Sequence, residues 1–252
     1  MHYSFSTSFL LTVLLFCGGS CKKSTTTAGG GGSATTVPAV FSKFNSNVTV
    51  SAEGSYIVLK SNGLPEHKSP YYQGTAWAAT LYEAYNGTNP AFMQNPNKIA
   101  SFNYVFKIPA SPAVNPTHEA TPLGPIGISI NGVPLFNQYA GPSQPLTNEI
   151  NSFDQYNGHP APNSMYHYHV EPLYITATKG KSALIGFLLD GFPVYGPLEN
   201  GATLTTANLD IYHGHTGVTA DYPAGIYHYH ITADAPYING SGFYGTKGSV
   251  TQ

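Results

Sequence analysis

Apolar and polar positions change rhythm several times along the chain, and each change marks an element. Phe9 to Phe16 is an almost unbroken apolar run. It is too short for the roughly 20 residues that span a bilayer and has the length of a signal-peptide hydrophobic region. From about residue 40, short β-rich runs alternate with Gly, Pro and Asn. Val48-Thr49-Val50-Ser51 and Tyr56-Ile57-Val58-Leu59 read as strands around the turn residues Glu53-Gly54. Ala76 to Tyr85, with Trp77, Leu81, Tyr82 and Tyr85, predicts the one short helix, and Asn103 to Ile108 returns to strand. Two later apolar runs end in Asn131-Gly132 and Asp190-Gly191, strong short-range hairpin signals. Pro134 and Pro193 then open the partner strands, a position that tolerates proline. The pattern predicts a mainly β fold: a single compact domain, sandwich- or barrel-like.

The chain also repeats itself. Ile126-Gly127-Ile128-Ser129-Ile130-Asn131-Gly132-Val133-Pro134-Leu135-Phe136 returns as Ile185-Gly186-Phe187-Leu188-Leu189-Asp190-Gly191-Phe192-Pro193-Val194-Tyr195. Phe153-Asp154-Gln155-Tyr156-Asn157-Gly158-His159 returns as Leu209-Asp210-Ile211-Tyr212-His213-Gly214-His215, and Tyr166-His167-Tyr168-His169 returns unchanged as Tyr227-His228-Tyr229-His230. The offsets are 59, 56 and 61 residues, in one order. This pattern predicts an internal duplication with units at 123–175 and 182–238, folded as one domain with pseudo-twofold symmetry.

Composition narrows the function. Aromatics make up 13 % of the 252 residues and charges only 9 %, which excludes a disordered chain. All ten basic residues are lysine and the net charge is -2, so nucleic acid is not an expected partner. Cys17 and Cys21 are the only cysteines, and Gly18-Gly19-Ser20 precedes the second. This arrangement resembles a bacterial lipoprotein signal. It implies a signal peptide at 1–20, a lipidated Cys21 heading a low-complexity tether at 21–40, and a domain at 41–252. The expectation is an exported protein held to the cell envelope, with the membrane as partner; an ordinary secretory peptide cut nearby is the alternative. Beyond Cys21 there is no thiol, so a metal would need histidine, carboxylate or carbonyl ligands. No P-loop, Gly-x-Ser-x-Gly elbow, His-Glu-x-x-His or Rossmann fingerprint is present.

Seven of the ten histidines lie in the repeated blocks. On a strand, alternate side chains share a face, so His167 and His169 point one way and Tyr166 and Tyr168 the other, the imidazoles about 6.6 Å apart along the backbone. Two such rings can converge on one ion if a third ligand joins them, and the upstream Gly-His offers it. The expected metal ligands are His159, His167 and His169 in one cluster and His215, His228 and His230 in its counterpart, with zinc or copper as the ion of a hydrolytic or redox metalloenzyme or a metal carrier. Alternatively the two strands meet across the pseudo-twofold axis and share a single ion. The competing expectation makes the histidines struts, bonded to carbonyls or to Asp154 and Asp210, in a non-catalytic surface module that binds a glycan or a protein. His213 replaces Asn157 and is expected at the surface, His67 is read as structural, and His118 and His2 are expected to be uninvolved. Asp154, Asp190, Asp210 and Glu171 leave paired-acid chemistry open, so neither a catalytic residue nor a small-molecule partner is assigned.

The paired Tyr-His-Tyr-His segments, Gly124-Pro125-Ile126-Gly127 with Asn131-Gly132-Val133-Pro134, and Leu189-Asp190-Gly191-Phe192-Pro193-Val194-Tyr195-Gly196-Pro197 together resemble the YHYH domain family of exported bacterial proteins. The likeness extends upstream through Ser61-Asn62-Gly63-Leu64-Pro65-Glu66-His67 and Asn95-Pro96-Asn97-Lys98-Ile99. It implies one compact exported domain and brings no established activity or ligand set.

Overall fold

The predicted N-terminal strands form as a hairpin, β1 (Thr49–Glu53) with β2 (Tyr56–Ser61), closed by Gly54 at φ 59°. β3 (Tyr104–Pro109) lies against β2 and alternates strictly, burying Tyr104, Phe106 and Ile108. This is a computed structural model, and it describes residues 1–2, 36–240 and 242–252. Cys21 and most of the 1–20 signal and of the 21–40 tether lie outside the described residues. Among those described, no helix is long and apolar enough to cross a membrane.

Seven strands follow: β4 (Gly127–Ser129), β5 (Pro134–Leu135), β6 (Tyr139–Ala140), β7 (Gln144–Pro145), β8 (Gly158–Pro160), β9 (Tyr166–Tyr168) and β10 (Leu184–Leu188). The chain then forms β11 (Pro193–Tyr195), β12 (Leu198–Glu199), β13 (Ala202–Thr203), β14 (Gly214–Gly217), β15 (Ile226–His230) and β16 (Ser249–Thr251). β16 completes a four-stranded sheet in the order β1-β2-β3-β16. The larger sheet runs β14-β15-β11-β10-β4-β5-β9-β8. Both predicted turns close hairpins, β4 with β5 and β10 with β11, and each second strand pairs in parallel with a Tyr-His-Tyr-His strand. The pairing order therefore reads alike from either edge, and β4 meets β10 antiparallel at the centre.

One apolar cluster takes Ile57, Leu59 and Phe106 from the small sheet and Ile128, Phe187 and Val194 from the large one, so the two sheets share a core. The eight-stranded sheet stays open, with β14 and β8 as its edges, which settles against a barrel. The helix expected over 76–85 shortens to a single turn, α1 (Ala78–Leu81). A helix with no clear sequence signal, α2 (Leu173–Lys179), forms behind Pro172. Its Ile175, Thr176 and Thr178 are poor helix formers, and the burial of Ile175 and Thr176 overrides them.

Candidate metal centres

Strand alternation sorts each Tyr-His-Tyr-His segment into two faces with different work. On the tyrosine face, the Tyr166 hydroxyl donates to Asp154 (2.8 Å) and that of Tyr227 to Asp210 (2.9 Å). Asp154 also accepts the N–H groups of Tyr156 and Gly158, and Asp210 those of Tyr212 and Gly214. Each aspartate thus clamps the turn that delivers the Gly-His strand. A Cβ on Gly158 or Gly214 would collide with the Tyr166 or Tyr227 ring, so glycine is required where the first tyrosine lies over the strand. The expectation that Asp154 and Asp210 bond the histidines is therefore corrected: they hold tyrosines.

The second tyrosines bond at the hairpin turns, with opposite polarity. Asn131 donates to Tyr168 (3.1 Å), whose hydroxyl lies 2.9 Å from Nε2 of the buried His67. The Tyr229 hydroxyl instead accepts the Tyr244 N–H (2.7 Å) and donates to Asp190 (2.6 Å). His67 lies outside both histidine groups, its other nitrogen 3.0 Å from the Lys68 carbonyl. The Asn/Asp difference follows from which end of each chain of bonds needs an acceptor.

On the histidine face the ring nitrogens are divided consistently. The Nδ1 atoms of His167, His228 and His230 lie 2.9 Å from the carbonyl oxygens of Met165, Ile226 and Gly196, and that of His169 faces the Asn137 carbonyl. A carbonyl only accepts, so Nδ1 carries the proton in each and Nε2 keeps a lone pair. For His159, Nδ1 lies 2.7 Å from Ser152 Oγ, which donates to the Glu149 carbonyl, with the same result. Cross-strand pairing sets His159 against His167 and His215 against His228. The Nε2 atoms consequently converge: His159 to His167 is 3.2 Å and His167 to His169 is 2.9 Å.

A carboxylate completes each group. Glu149 Oε1 stands 2.9 Å from His159 Nε2 and 3.6 Å from His169 Nε2. In the other group the Glu199 oxygens stand 3.3 Å from His215, 3.3 Å from His228 and 3.8 Å from His230. Ligand atoms 2.0–2.1 Å from a tetrahedral ion are about 3.3 Å from one another, and the observed spacings bracket that value. In each set of four residues the ligand atoms lie within 4.8 Å of one another. The Nε2 atoms of His215 and His230 are buried and make no hydrogen bond at all.

Electrostatics leaves these sites short of positive charge. Burial holds His159, His167 and His215 below the usual imidazole range, His167 far below it, and takes His230 to about 4. Burial acts on Glu149 in the opposite direction from what is found: hydrogen bonds and charge from His159 and His169 outweigh it and hold the carboxyl at about 2. The low Glu149 value requires a proton on Nε2 of His159 or His169, which the burial of His159 opposes. A cation among these atoms would meet both demands at once, an ionised carboxylate and unprotonated rings.

All six predicted histidines fall into two groups of three, as the two-cluster arrangement requires. A shared ion is ruled out, because four strands separate β9 from β15, about 24 Å at the usual strand spacing. His213 is not at the surface: it is fully buried, with Nε2 2.9 Å from Thr232 Oγ1. Its φ of 77° matches the left-handed Asn157 (φ 65°), so the backbone of the turn places it inward and outside the cluster. Glu171 bonds Thr176 and Lys181, away from both groups. Glu149 and Glu199 were not visible in the repeat, since they lie ten residues before His159 and sixteen before His215.

A family model described as YHYH protein matches residues 105–207 and 198–242. No curated protein and no solved structure matches the chain.

Proposed function

From a chain that belongs to the YHYH protein family, we propose an exported, membrane-tethered protein that binds two divalent transition-metal ions, one at each histidine–glutamate group. Three imidazoles and one carboxylate without thiolate suit zinc or copper, and such an ion acts as a Lewis acid on an oxygen that reaches it. His159, His167, His169 and Glu149 would hold the first ion, His215, His228, His230 and Glu199 the second.

The observation that carries this reading is the origin of the two glutamates. Glu149 opens a 3₁₀ turn (Glu149–Ser152), whereas Glu199 ends strand β12 of a two-stranded ribbon. Different elements therefore bring a carboxylate to the same face of the same three rings. Copying a structural repeat would reproduce the histidines but not a carboxylate at a non-matching position. Struts need no fourth group, while a cation centre does.

Elemental analysis of the full chain, stripped with chelator and reloaded, tests it. Two equivalents are expected, falling to one in His228→Ala/His230→Ala with the fold intact by circular dichroism. A parent chain that retains no metal would leave the histidines as struts. For the tether, Cys21→Ala should release the protein from membranes; unchanged membrane association would refute lipidation there.

A further inference from the structure

The two groups differ in what covers them. His159 and His169 are 4 % and 2 % exposed, and aromatic rings close over the first group. Phe136 stacks on His167 with centroids 3.9 Å apart, and the buried Phe153 packs on His159 and His169. The repeat replaces Phe136 by Tyr195 and Phe153 by Leu209. Tyr195 stands edge-on to His228, and its hydroxyl turns away to Thr219 (2.9 Å) and Asp221 (3.0 Å). Leu209 is only partly buried. Of the second group's rings only His215 is exposed, 33 % against 4 % for its counterpart His159, while His228 and His230 stay buried; those two and Glu199 line a cleft of about 880 Å³.

The cleft has a sign as well as a size. Lys43 lines it but is neutralised by Asp221 at 2.5 Å. Lys179, at the end of α2, also lines it and has no acidic partner among the described residues. A divalent ion held by three neutral rings and one carboxylate keeps a net charge of +1, and Lys179 adds to it. Hydroxyl and amide groups from Thr219, Ser182 and Asn200 complete a polar wall.

We propose, resting on the metal reading above, that the second centre alone accepts an outside ligand: a small anion that offers a carboxylate or other anionic oxygen to the ion and meets Lys179 across the cleft. The first centre, whose rings lie under Phe136 and Phe153 and whose one exposed member is Glu149 at 26 %, holds its ion for structure. With three rings and one carboxylate already on the second ion, the outside anion takes a fifth position, an expansion known for such sites.

The test uses the full chain loaded with copper(II) and titrated with sodium azide, an anionic probe whose complex with copper(II) gives a charge-transfer band. Two copper ions and one azide per chain are expected, with acetate competing for the same place. His215→Ala, a third exposed and on an edge strand, should keep one copper and lose the band. Lys179→Ala should keep both ions and bind azide about threefold more weakly, the effect of one partly solvated charge. Two coppers with no azide or with two, a band that persists in His215→Ala, or unchanged azide affinity in Lys179→Ala would overturn the proposal while leaving the metal reading standing. A parent chain that takes up no copper would overturn both.

Discussion

The group on β8 and β9 and the group on β14 and β15 share their cross-strand register, their histidine order and the carbonyl partners of the His-x-His rings. They part at the cover: phenyl rings over the first, a tyrosine turned aside and a cleft over the second. The comparison shows that donor set and access are encoded separately. Strand pairing fixes the ring nitrogens, and a few residues at the hairpin end and the Gly-His turn decide whether anything can reach them.

The sharpest way to break this comparison is to remove one ring from each group with the metal chelated away. His159, the counterpart of His215, is 4 % exposed and packed against Phe153, so His159→Ala opens a cavity and should cost about 4 kcal/mol. His215→Ala, at a residue 33 % exposed, should cost less than about 1 kcal/mol. Urea denaturation of both variants checks the pair, and equal losses would show that the two groups are equally enclosed.

The hairpin turns give a second contrast, in pH. Burial raises the fully enclosed Asp190 to about 6, against the pull of hydrogen bonds from Tyr229, Gly245 and Phe192. A carboxyl raised in the folded state binds more protons there than when unfolded between its ordinary value near 3.8 and about 6. Its contribution to stability is therefore full below 3.8 and is lost as pH rises through 6, about 3 kcal/mol in all. Asn131 holds the matching turn without charge. Asp190→Asn should remove this part of the slope between pH 4 and 7, at the cost of leaving the Gly245 N–H without its acceptor. Unfolding free energies across that range check it, and an unchanged slope would place the ionisation elsewhere.

The smallest effect concerns the seal. Phe153→Leu gives the first group the residue found in the second and should cost about 1 kcal/mol. Chelator should then strip the first ion faster than in the parent chain, read by stopped-flow with a chromogenic chelator. An unchanged rate would mean Phe153 does not guard that centre.

Much of this arrangement was legible in the sequence because it is local. Alternation in Tyr-His-Tyr-His fixes two faces, Asn131-Gly132 and Asp190-Gly191 close hairpins, and Gly158 and Gly214 mark where a tyrosine lies over the chain. What stayed hidden depends on contacts between distant segments. Glu149 and Glu199 come from elements of different kind, a 3₁₀ turn and a strand end, so no repeat exposes them. His213 reads as a surface residue until its left-handed turn places it in the core. The substitutions of Phe136 by Tyr195 and Phe153 by Leu209 are plain in the sequence, but only the fold shows that the two phenyl rings pack on histidines. α2 forms against its own propensity, and β16 finds β3 from the far end of the chain.

If each group of three Nε2 atoms and one carboxylate surrounds an ion, anomalous diffraction from zinc- or copper-loaded crystals, collected on both sides of the metal edge, should locate it. Two peaks per chain are expected, each about 2.0–2.1 Å from the three Nε2 atoms and in contact with Glu149 or Glu199. Density without an anomalous peak at either group, or ions bound through Nδ1 with the carbonyl bonds broken, would contradict that arrangement.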